Sequence, residues 1–177
     1  MATSFRIAAA AALLFAPGIA SAAQPPCLTQ TEFSSLAGYA LPSVIGGATK
    51  RCGATLGPKS YLSTGGNQLI GRYAAHKAAA WPKAKAAFMK ISNEKKDKSY
   101  ALFENLPDKS LQEMLDVIFE GMVSQEIPLE ECGKIDNFVR LLAPLPPENT
   151  AELIALAVGL TADAKDGKVG KLNICKV

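Results

Sequence analysis

A single histidine, His76, bounds the chemistry open to this 177-residue chain. Zinc sites of the usual kind draw on several imidazoles or closely spaced thiolates. Cys27, Cys52, Cys132 and Cys175 are too dispersed to form a C-x-x-C pair, and no C-x-x-C-H haem attachment is present. His76 could serve a catalytic triad, but no G-x-S-x-G offers a nucleophile elbow. Its alanine-rich setting beside Lys77 suits a surface or boundary position. Ser92 to Lys95 matches the S-x-x-K of penicillin-recognising enzymes, yet elements like S-D-N and K-T-G are missing, so it reads as a polar linker. Asp163, Asp166 and Gly167 are spaced somewhat like a calcium loop. Aligning Gly167 with the invariant glycine puts Ala162 and Ala164 where carboxylates belong, which excludes that site. Gly46-Gly47 and Gly65-Gly66 lack both GxGxxG and a P-loop lysine, and read as turns or close helix contacts. No catalytic residue, metal ligand or cofactor is assigned.

Paired carboxylates are the one enzymatic option left. Glycosidases hold two acids at a fixed separation, and Glu130-Glu131 with Glu113, Asp116 and Glu120 could supply them. The last three share the polar side of one helix, where ordinary solvation accounts for them. An envelope hydrolase is therefore the alternative to a non-catalytic role.

The compartment follows from the first residues. Met1 to Arg6 carries one positive charge, Ile7 to Phe15 is almost wholly apolar, and Ala20-Ser21-Ala22 fits a small-residue cleavage site. Residues 1–22 read as a signal peptide and residues 23–177 as a single helical domain, periplasmic or secreted. The apolar run falls short of the roughly 20 residues of a membrane span. The most apolar later stretch, Leu153 to Leu160, has only the length of a core helix. In an exported chain four cysteines point to two disulfides. Of the three possible pairings, Cys27–Cys52 with Cys132–Cys175 is favoured because each joins segments that end in loops. Either would contribute about 3 to 4 kcal/mol by restricting the unfolded chain.

Charge is unevenly distributed. From Ala23 to Tyr100, 11 basic residues stand against Glu32, Glu94 and Asp97, a net +8; from Ala101 onward, seven stand against 13 acids, a net −6. Two halves packed with opposite charges ringing the seam would explain this. The other explanation is a basic face for an anionic envelope component, such as a polymer or lipid head group. Nucleic acid fits poorly, since the basic stretch lacks interleaved aromatics.

The elements that would position these residues are helical. Leu111, Met114, Leu115, Ile118, Phe119, Met122 and Val123 form the cleanest 3.6-residue stripe, over Ser110 to Gln125. Ser110 and Glu113 have capping-box spacing, and this helix is expected to organise the rest. Gly121 within it suggests close approach of a neighbour. Upstream, Thr29 and Glu32 also have capping-box spacing and open a short helix through Phe33, Leu36 and Ala37, which Gly38 ends. Pro42 is placed to start a second helix through Val44, Ile45, Ala48 and Cys52. Leu69, Ile70, Tyr73, Ala74 and Trp81 mark another, with Pro82 expected to break it at Trp81. A further helix follows through Ala84, Phe88, Met89 and Ile91. The run Asn93 to Lys98 reads as an exposed connection. Ile135, Phe138, Val139 and Leu142 mark one more helix, and Asn149 or Thr150 can cap a last one through Leu153, Ile154, Ala157 and Leu160. Thr161 to Val177 loses periodicity. No useful length alternates with period two. The expected fold is all-α, a compact bundle of about six to seven short helices with two disulfides. The expected function is a non-catalytic binding or structural role in the cell envelope, with an anionic component, a protein partner or an apolar ligand as the thing bound.

Overall fold

A computed structural model describes residues 27–94, 98–164, 168–169 and 172–175. The signal-peptide stretch, Lys95 of the S-x-x-K match, and Asp166 and Gly167 of the loop resembling a calcium site lie outside the described residues. Among those described, the chain is all-α, with eight α-helices: α1 (Gln30–Cys52), α2 (Tyr61–Thr64), α3 (Gly66–Ala74), α4 (Lys77–Glu94), α5 (Lys98–Asn105), α6 (Asp108–Glu126), α7 (Cys132–Leu142) and α8 (Pro147–Ala164). Two-residue strands β1 (Lys168–Val169) and β2 (Leu172–Asn173) pair antiparallel in the tail.

The organising element is α1, not α6. It begins with the expected box: Thr29 accepts from the Glu32 N–H, and Glu32 reaches back to the Thr29 N–H at 2.8 Å. It then runs straight through Gly38 and Pro42, so the two short helices expected there are one. An interior proline costs about 3 kcal/mol. Burial of Leu36, Tyr39, Leu41 and Ile45 on both sides of it outweighs that cost. Pro82 is likewise interior to α4, where the expected break does not occur. Trp81 beside it is buried, its ring 5.1 Å from that of Tyr39 and its indole N–H donated to Asp108 at 2.9 Å. Those contacts hold the helix through the proline.

Around α1 the interior divides in two. The C-terminal half of α1 packs with Leu62, Leu69, Tyr73, Val139 and Ala143, and the N-terminal half with Trp81, Ala84, Leu111, Leu115 and the tail residue Ile174. Helices α3, α4, α6, α7 and α8 all touch α1. The pairing with α6 is parallel: the Tyr39 hydroxyl donates to the Gln112 carbonyl, one turn on the Ser43 hydroxyl donates to Asp116, and near the end of α1 Arg51 Nε donates to the Ile127 carbonyl. Midway, a Cβ on Gly47 would lie 2.5 Å from the Glu120 carbonyl oxygen, whereas one on Gly121 would meet nothing within 4 Å. The close helix approach belongs to Gly47, and the reading of Gly121 is corrected accordingly.

Because α1 meets α6 through Gln112, Asp116 and Glu120, the apolar stripe of α6 is not covered throughout. Leu111 and Leu115 are buried, while Ile118 and Met122 are 41% and 54% exposed. The capping box at Ser110 does not form either. Helix α6 starts earlier, at Asp108, with the Leu111 N–H donated to the Pro107 carbonyl. In α8 the start is Pro147, not Asn149 or Thr150 as cap, and the buried face is Thr150, Ala151, Ala155 and Ala162.

The sulfur pairing also differs from expectation. Cys27 joins Cys175 and Cys52 joins Cys132, with Cα separations of 4.9 and 5.4 Å. Cys27–Cys52 is impossible because the two residues bracket the single straight α1. The tail returns to the start of the chain instead: the Leu28 N–H donates to the Asn173 carbonyl and the Cys175 N–H to the Leu28 carbonyl, both at 2.9 Å.

Candidate functional site

Of the five acids that could have acted together, three are held by lysines. Asp116 accepts from Ser43 and from Lys77, Glu120 pairs with Lys50 at 2.5 Å, and Glu131 pairs with Lys134 at 2.8 Å. Asp116 and Glu120 stand one turn apart on the same wall of a shallow groove. Glu113 and Glu130 are exposed and line neither this groove nor the other two concavities described below. The Asp116 network has a structural effect on Tyr39. Burial, and then the nearby carboxylate, push that phenol well above its ordinary range, so it stays a neutral donor to α6. Lys77 also lies over the Tyr39 ring, 4.4 Å from its centre.

These pairs carry the charge pattern of the chain. Lys50, Lys77, Lys85 and His76 from the basic half meet Glu120, Asp116, Asp108 and Glu148 from the acidic half. Opposite charges ring the seam, as the first of the two sequence explanations has it.

His76 occupies a trench of about 470 Å³ between α1, α4 and α8, whose lining includes Ser34, Gly38, Ala80, Lys83, Glu148, Ala151 and Glu152. Its Nδ1 is 2.7 Å from Glu148, and both side chains are about half exposed. Such a bond orients an imidazole. Among the described residues the ring's one bonded partner is this carboxylate, with no hydroxyl or thiol bonded to it. The described residues also contain no group of three His, Cys, Asp or Glu side chains able to hold a metal ion.

A second concavity has a different character. About 230 Å³ of space lies among five helices, lined by Leu41, Val44, Ile45 and Ala48 of α1, Leu69 and Tyr73 of α3, Val123 of α6, Ile135, Phe138, Val139 and Leu142 of α7, and Thr150 and Ile154 of α8, with Ile127 closing the end of α6. Each wall is held in place by a specific contact. The Cys52–Cys132 bridge ties the end of α1 to the start of α7. Asp136 caps α2 from α7, accepting the Leu62 N–H at 2.7 Å, and Arg72 donates to the Ala143 carbonyl at the end of α7. Gly47 sets how closely α6 approaches α1.

The only side-chain polar atoms in this lining are two hydroxyls, and both are engaged. Thr150 donates to the Pro146 carbonyl at 3.1 Å and lies 2.8 Å from the Tyr73 hydroxyl. The Tyr73 hydroxyl also has the Leu142 and Leu145 carbonyls as acceptors, at 3.4 and 3.3 Å, so its proton has acceptors besides Thr150. The space is therefore hydrocarbon-lined, and Phe138, 56% exposed, marks its mouth. The row Ile135, Phe138, Val139 and Leu142 that defined α7 in the sequence is one wall. The space itself had no sequence signal, because it is shared among segments distant in the chain. No helix among the described residues is long and apolar enough to cross a membrane. Compared with known proteins, the chain matches no protein-family model, no curated protein and no solved structure.

Proposed function

We propose that this chain is an exported, disulfide-clipped helical protein of the cell envelope that binds a small apolar ligand without transforming it. The signal-peptide pattern of residues 1–22 and the two cystines support export to a periplasmic or external compartment. The observation that carries the binding role is the hydrocarbon-lined cavity between α1, α3, α6, α7 and α8. Apolar pockets with few polar groups are the usual form of small-molecule sites. The paired engagement of Asp116 and Glu120 with lysines weighs against the alternative of a carboxylate hydrolase.

An uncharged naphthylamine dye that brightens in apolar surroundings tests this reading. One dye should bind per chain. Val44→Phe, which places a ring into the cavity from a half-buried wall position, should weaken binding at least tenfold while the helical circular dichroism is retained. Equal dye binding by both proteins, or none by the native one, would refute the assignment.

A further inference from the structure

We infer that the cavity takes the hydrocarbon tail of a single-chain anionic amphiphile, whose head group is received outside by Arg51. The inference rests on the apolar-ligand reading above and specifies its ligand. Inside the cavity no side chain has a donor to spare: the Tyr73 hydroxyl has Thr150 and the Leu142 and Leu145 carbonyls as acceptors, and Thr150 donates to the Pro146 carbonyl. A ligand oxygen or nitrogen buried there would go unpaired, at a cost that disfavours it strongly. The occupant is therefore hydrocarbon throughout its buried length. By proportion with dry cavities of roughly 150 Å³ that hold the six carbons of benzene, a space of about 230 Å³ accommodates about nine carbons.

The head group is specified at the edge. Arg51 follows Ala48 by one turn on α1, and its Nε donates to the Ile127 carbonyl at 2.9 Å; both Ala48 and Ile127 line the cavity. Only Nε is used. Among the described residues no carboxylate lies within ion-pair distance of this guanidinium, although Lys50 beside it is paired with Glu120. On the opposite wall Lys134 is paired with Glu131. Arg51 is thus the cation at this edge with donors to spare, and a guanidinium fork matches a carboxylate or phosphate in two parallel bonds.

The test measures displacement of the dye from the intact protein by alkyl carboxylates of six to fourteen carbons, by decyl phosphate and by decanol. Affinity should rise about fourfold per methylene, the rate that corresponds to burying each one, and level off near ten carbons. Decanoate or decyl phosphate should bind about tenfold tighter than decanol. The tighter of the two anions identifies whether a free fatty acid or a phosphate-headed lipid is the better fit. Arg51→Gln should erase the preference for the anion, read as the ratio of decanoate to decanol affinity in the same variant, while Arg51→Lys should keep most of it. Dye binding sensitive to Val44→Phe but with no anion preference, or with one that survives Arg51→Gln, would overturn this inference and leave the parent reading standing. Absence of any apolar binding would overturn both.

Discussion

Trp81 is the only tryptophan, and its indole N–H points at a single carboxylate oxygen of Asp108. Lys85 donates to the other oxygen, at 2.5 Å. The Lys85 bond, then the Trp81 bond, hold the Asp108 carboxyl below the usual carboxylate range. Glu32 is shifted the same way: partial burial would raise it, but the bonds from Lys90 and from the Thr29 backbone outweigh that. For a group whose folded value is depressed, the stabilising contribution is present above the unfolded value, near 4 for a carboxylate, and is lost as pH falls through the folded value. Trp81 fluorescence should accordingly stay constant from neutral pH to about 4 and then titrate with a midpoint below about 3.9. Asp108→Asn should remove the transition. A midpoint at or above that value would contradict the bonding described. The Thr29–Glu32 box was legible as spacing because both partners lie within one turn. The Trp81–Asp108 bond, 27 residues apart in sequence, was not. It depends on α4 and α6 being brought together by α1.

At the scale of elements, the reading of α6 as an amphipathic helix is correct as to its existence and most of its stripe: Leu111, Met114, Leu115, Phe119 and Val123 pack into the interior, and only Ile118 and Met122 of the seven lie exposed. Periodicity located the stripe, but the approach of α1 through Ser43 and Gly47 set the orientation. Small residues there let polar positions of α6 sit against a neighbouring helix, with Asp116 and Glu120 neutralised by lysines. Gly47→Ala should destabilise the protein by about 1 to 3 kcal/mol, since backbone rather than a movable side chain blocks the new methyl. Gly121→Ala, which enters open space within a helix, should stabilise by about 0.5 to 1 kcal/mol. Urea titration of both variants checks the contrast; equal effects would mean that α1 and α6 are not in such close contact. Pro42 and Pro82 taught the same lesson from the other direction. Local preference argued for breaks, and tertiary burial of Tyr39 and Trp81 overrode it.

At the scale of the molecule, the helical class, the even cysteine count and the charged seam were legible, because each is a property of composition or period. The sulfur pairing was not, because it turns on whether α1 is one rod or two. Bridges spanning 148 and 80 residues, one nested inside the other, close longer loops than expected, each worth about 4 to 5 kcal/mol on chain-entropy grounds. Peptide mapping without reduction should recover Cys27–Cys175 and Cys52–Cys132, with a mature chain beginning at Ala23. A Cys27–Cys52 peptide would refute the topology. Replacing Cys52 and Cys132 by alanine should cost about 2 to 5 kcal/mol and abolish dye binding, since that bridge holds α7 against α1. Replacing Cys27 and Cys175 should leave dye binding in place. The cavity was the least legible feature. Whether the α7 row fills a core or borders a void depends on helix separations set elsewhere, at Gly47 and at the Arg72–Ala143 bond.

The Cys27–Cys175 bridge has a practical corollary for how the molecule can be handled. It fastens both ends of the domain beside the first turn of α1, and Val44 at the cavity lies 14 residues further along that rod, about 21 Å at 1.5 Å per residue. A resin, a fluorophore or a surface attached beside this bridge would stand well away from the cavity wall at Val44. On the proposed binding role, the immobilised protein should then bind the apolar dye as readily as the free one.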